Sequence, residues 1–409
     1  MHTELAPKFA HDPDAIEAAG LIQACVHCGF CNATCPTYQL RGDELDGPRG
    51  RIYLIKQMLE GREVTEKTQL HLDRCLTCRA CESTCPSGVQ YGHLVEAGRR
   101  VLDGEVGRIP ELKFRRIWLN SVLPRGPWFA LALRAGRLAR PLLPRPLVRK
   151  IPTAMPVGRW PQRRHPRKML LLDGCVQPAM APAINAATAR VLDRLGIELV
   201  RAAAAGCCGA VSQHLGFHQD GLDYARRNID AWWPQLEADA EGIVITASGC
   251  GAQVKDYGYL LRDDPRYAER AARVSLLARD VAEVLAAEMP ALRGLLRPVA
   301  GGTRLAFHAP CSLQHGQRLK DVVEPLLQAA GYELTPVADA HLCCGSAGTY
   351  SMLQPELAGQ LRDNKVGALT AGSPVAIATA NIGCLAFLQA ASDTPVQHWV
   401  TLLDACLAG

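Results

Sequence analysis

The sequence predicts an α+β multidomain protein, in which an N-terminal all-α domain is followed by a tandem duplication of cysteine-rich α/β units. Three observations support this. The first hundred residues contain two dense cysteine runs separated by stretches with helical apolar spacing. Beyond residue 167, short apolar strands alternate with longer helices, as in parallel βα units. One cysteine spacing then occurs twice in that region. The predicted domains are 1–102, 103–167, 168–298 and 299–409.

The bulk composition is that of an ordinary globular protein with an unusual number of thiols. The chain has 409 residues, 48% of them hydrophobic, and 17 cysteines. Its first residues lack a basic stretch followed by an apolar one, so no export signal is expected. Because the thiols are then expected to be reduced, clustered cysteines indicate metal or redox ligands rather than disulfides. No apolar run is long enough to predict a membrane span.

The predicted all-α domain carries two matching runs, "CVHCGFCNATCP" and "CLTCRACESTCP". Each has the form C-x2-C-x2-C-x3-C-P, in which three thiolates hold one [4Fe–4S] cluster and the fourth reaches the other. This crossing rule assigns the first cluster to Cys25, Cys28, Cys31 and Cys85, and the second to Cys35, Cys75, Cys78 and Cys81. Structural zinc sites also use C-x2-C pairs, but two complete sets of four that end in Cys-Pro favour a two-cluster ferredoxin-type domain.

The predicted linker is strongly basic. Residues 114–168 contain fourteen Arg or Lys and no Asp or Glu, so the rest of the chain has a formal charge of +5 − 14 = −9. One amphipathic helix is expected near 127–141. On composition alone, the segment is a linker that lies across an acidic surface. The alternative is contact with anionic lipid, since the helix combines an apolar face with arginines.

The duplication is visible in the cysteine spacing. Thirty-one residues separate Cys175 from Cys207-Cys208-Gly209, and the same number separates Cys311 from Cys343-Cys344-Gly345. Each half ends in a strand that leads to a single cysteine, Cys250 or Cys384. Asn228 and Asn364 also occupy matching positions.

Every one of these cysteines is expected just after a strand, where open parallel sheets gather ligands. Free cysteine is also a common core residue, but two vicinal pairs at identical spacing favour a bound metal, a cluster or a redox-active thiol site. The candidate additional site comprises Cys175, Cys207, Cys208, Cys250, Cys311, Cys343, Cys344 and Cys384. No flavin-binding or dinucleotide-binding motif and no catalytic nucleophile is evident.

Over nearly its whole length the chain resembles the iron–sulfur subunits of bacterial glycolate oxidases, also called glycolate dehydrogenases. The stretches that carry the resemblance include "GDELDGPRGRIYLIKQMLEG", "NIDAWWP", "TASGCGAQVKDYG", "HLCCGSAGTY" and "TANIGC". The cysteine runs and Cys-Cys-Gly repeats alone occur in a wider group that includes heterodisulfide reductases, anaerobic glycerol-3-phosphate dehydrogenases and lactate utilisation complexes. The intervening stretches are what point to the glycolate group.

The resemblance implies a membrane-associated complex in which flavin-containing partner subunits oxidise glycolate to glyoxylate. This subunit would carry electrons to a quinone-type acceptor without binding glycolate, at the cytoplasmic side of the inner membrane as a peripheral protein. No nucleic-acid partner is expected. The eight cluster ligands match the family pattern. The C-x2-C pair that ends each heterodisulfide reductase repeat is absent, because Ala247, Gln253, Asn381 and Phe387 occupy the flanking positions.

Other functions fit the same motifs. The complex could oxidise lactate or glycerol 3-phosphate, because the substrate pocket would lie in another subunit. The duplicated region could itself reduce a disulfide, as heterodisulfide reductases do. A non-catalytic assembly or metal-storage role would use the thiols structurally.

Overall fold

The computed structural model describes residues 1–144, 151–153 and 156–407. They form two compact units, each described by itself below. The first comprises Met1–Ile117 with His341–Lys365, and the second comprises Trp118–Ala340 with Val366–Gly409. The segment with the second Cys-Cys-Gly therefore belongs to the same unit as the two N-terminal cysteine runs. The boundaries of the four predicted domains stay predictions.

The first unit is helical because capping residues and prolines set its helix starts. Asp12 caps the first α-helix through its side chain, and Thr65 forms a capping box with Thr68. Pro36 and Pro48 occupy the first turns of two others, where a missing N–H costs nothing. Its α-helices are Pro13–Gln23, Phe30–Ala33, Pro36–Arg41, Pro48–Leu59, Glu66–Asp73, Ala80–Thr84, Tyr91–Glu105 and Tyr350–Leu353, with 3-10 turns at Pro7–Phe9 and Glu44–Asp46.

The core of this unit lies between three of those helices, Pro13–Gln23, Pro48–Leu59 and Tyr91–Glu105. Ile22, Ile55 and Leu94 are fully buried there, together with several thiols of the cysteine runs. The cysteine runs connect to these helices, so the packed core fixes where the thiols lie.

The second unit contains two four-stranded sheets, and every strand pair within them is parallel. The first sheet has the strands β1 (Arg167–Leu171), β2 (Ile197–Arg201), β3 (Ile243–Ile245) and β4 (Ala278–Asp280). The second has β5 (Arg304–His308), β6 (Glu333–Leu334), β7 (Ala376–Thr379) and β8 (Val396–His398). The spatial orders are β2-β1-β3-β4 and β6-β5-β7-β8. The two orders are equivalent, which confirms the predicted duplication.

The two sheets share one apolar core, since residues of β1, β3, β5 and β7 belong to a single buried cluster. The halves also meet through polar contacts. Ser248 Oγ lies 2.8 Å from Ser312 Oγ, and His398 Nε2 lies 2.9 Å from the Thr246 carbonyl oxygen. The remaining α-helices are Gln177–Met180, Ala183–Arg194, Ala210–His214, His218–Ala238, Ser248–Lys255, Tyr257–Leu260, Ala268–Leu277, Val281–Ala287, Met289–Leu295, Glu324–Ala329, Pro355–Thr370, Ile382–Gln389 and Trp399–Ala405, with a π-helical turn at Ser312–Gly316.

In the described part of the predicted linker lie the α-helices Pro110–Val122 and Gly126–Ala139 and a 3-10 turn at Arg140–Leu142. The second helix is the amphipathic one expected from the sequence, and the first was missed. Residues 145–150 and 154–155 of the predicted linker, and the last two residues of the predicted final domain, lie outside the described residues. In the part of the chain that the structure describes, no helix is both long enough and apolar enough to cross a membrane.

Candidate metal centres

The two cysteine runs fold into the same local structure. In the first run His27 and Gly29 have positive φ angles of 62° and 86°. Thr77 and Arg79, at the matching positions of the second run, have φ angles of 52° and 61°. Each run then enters a short helix. Left-handed residues reverse the chain locally, so they curl each run back on itself and turn its thiols toward a common centre.

An open cavity lies inside the first run. The thiols that line it include the four assigned to the first cluster, and the cysteine from the second run among those four is Cys85. The lining of a second cavity includes Cys35, Cys75, Cys78 and Cys81. Cys81 also borders the first cavity. The structure thus brings together both predicted sets, with one thiol of each supplied by the other run.

The second cavity is surrounded by buried hydrogen-bond donors. The Arg51 side chain is 1% exposed, and its NH1 lies 4.0 Å from Cys35 Sγ. The Tyr91 hydroxyl donates to Cys75 Sγ at 3.9 Å, and the Thr77 backbone N–H donates to the same sulfur at 3.4 Å. Arg99 donates to the Cys75 carbonyl oxygen at 2.8 Å. Sequence reasoning missed Arg51, because nothing local distinguishes it from a surface arginine.

These donors change the acidity of the nearby thiol. Burial raises the pKa of Cys75, but Arg51, Arg99, the Thr77 N–H and the Tyr91 hydroxyl together lower it below its ordinary value. Cys81 lacks such compensation, so burial and its thiol neighbours raise its pKa well above the ordinary value. The thiolate that a metal requires is therefore favoured at Cys75 by this chain's own residues.

Asp46 links this cavity to a wider network of positive charge. Its carboxylate is fully buried and accepts from Arg74 NH1 at 2.9 Å and His71 Nδ1 at 2.9 Å, while Arg41 Nε and Arg51 NH2 lie 3.1 Å and 3.6 Å away. Three guanidinium groups thus share one carboxylate, and the group as a whole is positive even with His71 neutral.

The first cavity is more exposed and less polar. Val26 is 68% exposed and Phe30 is 62% exposed, while Cys28 is also exposed. Arg49, which lines this cavity, donates to Glu44 at 2.6 Å, so its charge is already paired. Burial and neighbouring thiols raise the pKa of Cys31 to about 11. The chain therefore offers less charge compensation here.

The donor chemistry of both cavities fits iron–sulfur clusters. Each cavity collects the four thiols assigned to its cluster within a mostly apolar lining, and at the second cavity N–H and O–H groups donate to sulfur. Thiolate ligands with hydrogen-bonded sulfurs are the ordinary setting of a [4Fe–4S] cluster.

The cysteines of the first repeat lie in a chain of contacts. Cys175 hydrogen-bonds to Cys207, Cys207 to Cys208, and Cys208 to Cys250. These hydrogen bonds lower the pKa of Cys207 well below its ordinary value and raise those of Cys175 and Cys208 well above it. One thiolate stabilised by neighbouring thiols suits either a metal or thiol redox chemistry.

A buried asparagine supports this site, and sequence analysis noted only its position. Asn228 Oδ1 accepts from the Gly206 N–H at 2.9 Å, and Nδ2 donates to the Cys207 carbonyl oxygen at 2.8 Å. The Tyr257 hydroxyl donates to the Cys208 carbonyl oxygen at 2.9 Å. Both side chains are fully buried, so they fix the backbone that presents the vicinal thiols.

The glycine after each vicinal pair has a steric role. Gly209 and Gly345 have φ angles of 90° and 86°, and a Cβ on either would lie 2.6 Å from a backbone carbonyl oxygen. Their N–H groups each lie 3.4 Å from the first thiol of the pair, Cys207 or Cys343. The same turn conformation therefore occurs once in each half.

The four cysteines of the second repeat are divided between the compact units. Cys343 and Cys344 belong to the first unit and are buried. Cys311 and Cys384 belong to the second, where the Asn381 amide donates to Cys384 Sγ at 3.6 Å. Within the first unit, the Tyr350 hydroxyl donates to the Arg74 carbonyl oxygen at 3.1 Å. The charges of Arg51, Cys75 and Cys343 all act on that hydroxyl.

Comparison with known families matches the two regions separately. A 4Fe-4S dicluster domain matches residues 21–89, so the N-terminal region is an iron–sulfur domain with two clusters. A cysteine-rich domain matches twice, at residues 169–255 and 305–389. The predicted fold class is confirmed.

Comparison with curated proteins finds similarity along the whole chain. It is 53% identical over 409 residues to the glycolate oxidase iron-sulfur subunit of Escherichia coli (strain K12), covering 100% of this chain and 99% of that one. A probable glycolate oxidase iron-sulfur subunit of Bacillus subtilis (strain 168) is 31% identical, with coverages of 90% and 88%. Lactate utilization protein A of Exiguobacterium sp. is 27% identical over only 52% of this chain.

Proposed function

Because the chain belongs to the family of glycolate oxidase iron–sulfur subunits, we propose that it carries electrons in a complex that oxidises glycolate to glyoxylate. That oxidation releases two electrons and two protons. The electrons come from a reduced flavin in partner subunits, and a quinone-type acceptor receives them with two protons to form the quinol. This chain takes no part in binding glycolate.

The observation that carries the proposal is the pair of thiol-lined cavities. We assign Cys25, Cys28, Cys31 and Cys85 to one cluster and Cys35, Cys75, Cys78 and Cys81 to the other. A [4Fe–4S] cluster exchanges one electron at a time, so two of them suit a two-electron donor with one-electron relay steps. The protein residues hold the thiolates, and three of the four thiols at the second cavity are buried.

The test uses the whole complex. With Cys78→Ser, glycolate should still reduce the partner's flavin, while electron delivery to a quinone should be lost. Cys406→Ser is the matched control, because Cys406 is a buried thiol outside both cavities that donates to the Leu402 carbonyl oxygen at 3.3 Å. Quinone reduction that survives Cys78→Ser would contradict the proposal.

The substrate is proposed from the relatives with full-length similarity. Lactate utilization proteins match only about half of this chain, at 27% identity. Assay of the copurified partners with glycolate, lactate and glycerol 3-phosphate should show that glycolate reduces the flavin fastest. Faster reduction by either of the other two would contradict the assignment.

The duplicated region is proposed to hold a further metal, cluster or redox-active thiol site. Its support is the hydrogen-bonded series Cys175, Cys207, Cys208 and Cys250. The repeat of sequence extends the same proposal to Cys311, Cys343, Cys344 and Cys384. Metal analysis and thiol titration of Cys208→Ala should show loss of a metal or of a reactive thiol. If both are unchanged, these cysteines are structural.

Peripheral contact with the cytoplasmic face of the inner membrane is proposed for the basic segment. On the helix Gly126–Ala139, Trp128, Leu131 and Leu138 are 61%, 57% and 83% exposed at helical spacing. Arginines flank them and no acidic residue occurs nearby, which suits anionic lipid. Leu131→Glu should weaken binding to phosphatidylglycerol vesicles. Leu276→Glu, at a leucine that is 73% exposed in another helix, should not.

A further inference from the structure

The two proposed cluster sites have the same backbone but different electrostatic surroundings. The first is open to solvent, with exposed Cys28, Val26 and Phe30 at its rim. The second lies beside the buried Arg51 and Tyr91. Since charge, hydrogen bonds to sulfur and exposure set the potential of a cluster, the two sites should differ in how readily they take up an electron.

Burial and charge act in opposite directions at the second site. Burial alone disfavours the extra negative charge that reduction adds, and so would lower the reduction potential. A buried cation opposes this effect, because its field is little screened by water or salt. Which effect dominates depends on how much positive charge remains after local pairing.

The pairing leaves a net positive charge at the second site. Arg41, Arg51 and Arg74 surround the single carboxylate of Asp46. Arg99 adds a further guanidinium, bound to the Cys75 carbonyl oxygen at 2.8 Å. Three hydrogen bonds also reach sulfur at this site, from Arg51, Tyr91 and the Thr77 backbone.

The first site has a smaller excess of positive charge, to which the N-terminal ammonium of Met1 contributes by donating to the Cys25 carbonyl oxygen at 2.6 Å. Among the described residues that line its cavity, Arg49 is the only arginine or lysine, and its Nε is paired with Glu44 at 2.6 Å. Asn32 presents an oxygen, not a donor, to Cys31, at 3.9 Å. Because Cys28 at this site is exposed to solvent, a partner subunit can approach the site to exchange electrons.

We infer that Arg51 and its network make the Cys35/Cys75/Cys78/Cys81 site the higher-potential member of the pair. The inference rests on the proposed function and adds the direction in which electrons move between the two sites. Single electrons pass from the partner's reduced flavin to the exposed first site. Each then moves to the second site, where the positive network stabilises it. Arg51 and Tyr91 are positioning residues for this step.

The test is a reductive titration of the anaerobically reconstituted full chain, followed by electron paramagnetic resonance. Cys28→Ala should retain the signal with the higher midpoint potential, and Cys78→Ala the signal with the lower one. Arg51→Met should move the higher midpoint to a more negative potential by at least about 59 mV, which is a tenfold change in a one-electron equilibrium. The lower midpoint should stay in place.

Three further variants separate the effect of charge from an effect on folding. Tyr91→Phe keeps the shape and removes one donor, so it should shift the same midpoint in the same direction by a smaller amount. Arg51→Lys keeps the charge and should shift it less than Arg51→Met does. Arg62→Gln, at an exposed arginine of the same unit, should shift neither midpoint. Equal or reversed potentials in the two cysteine variants would overturn the ordering alone, whereas a chain that binds no cluster would overturn the proposed function as well.

Discussion

The two halves of the duplication share a scaffold but differ in how they use it. Both have four parallel strands in the same order and a Cys-Cys-Gly turn with a left-handed glycine. The first half keeps its four cysteines in one compact unit, whereas the second half places Cys343 and Cys344 in the unit with the N-terminal cysteine runs. The compact units therefore group the cysteines of the two halves differently.

The largest expected difference between the halves concerns the matching asparagines. Asn228→Ala should lower the free energy of unfolding by about 3–6 kcal/mol, because it leaves the Gly206 N–H and the Cys207 carbonyl oxygen unsatisfied in a buried site. Asn364 is exposed, so Asn364→Ala should change stability by less than about 0.5 kcal/mol. Denaturant unfolding of both variants measures this difference. Equal losses of unfolding free energy would show that the two asparagines stabilise their halves equally.

The glycine turns should instead behave alike in both halves. Gly209→Ala and Gly345→Ala each place a Cβ 2.6 Å from a backbone carbonyl oxygen at a positive φ, at a cost of about 2–4 kcal/mol. Gly174 has a similar φ of 83° with no atom within 4 Å of its Cβ position. Gly174→Ala should therefore cost only about 1 kcal/mol. Equal losses of thermal stability in the three glycine variants would rule out a steric role for Gly209 and Gly345.

The ends of β4 and β8 should give the smallest effect, because two opposite pH dependences nearly cancel. Burial raises the pKa of Asp280 to about 6, even though the Ala282 N–H, Gln317 and Lys255 oppose it. Asp280 therefore stabilises the fold most when neutral, and its contribution falls as the pH rises from about 4 to 6. Burial lowers the pKa of His398 to about 4, so its contribution falls as the pH drops from about 6.5 to 4.

Single substitutions should separate these two slopes. Asp280→Asn should leave stability that rises with pH by about 1 kcal/mol per unit between pH 4.5 and 6, and His398→Gln should leave the opposite slope. The unmutated chain should be nearly flat over that range. Unfolding free energies at three pH values test this prediction, and parallel slopes in the two variants would contradict it.

Much of the fold follows from local sequence. Strand–helix alternation predicted parallel units, and the thirty-one-residue spacing between Cys175 and Cys207 predicted the duplication. The placement of residues 341–365 with the N-terminal unit was not predictable, because it depends on contacts between segments distant in sequence. The buried roles of Arg51 and Asn228 were missed for the same reason, since an arginine or an asparagine on a helix is ordinarily exposed. The exposure of Asn364 shows that matching positions in a repeat need not share a role.

The central claim is that eight N-terminal thiols hold two clusters in exchanged fashion. Its most direct test is the iron, sulfide and zinc content of the anaerobically reconstituted chain and of Cys78→Ala. The account predicts that the N-terminal region of the unmutated chain contributes about eight irons, and that the variant contains about four fewer with a matching loss of sulfide. Zinc in place of iron, or an iron content that the substitution leaves unchanged, would contradict it.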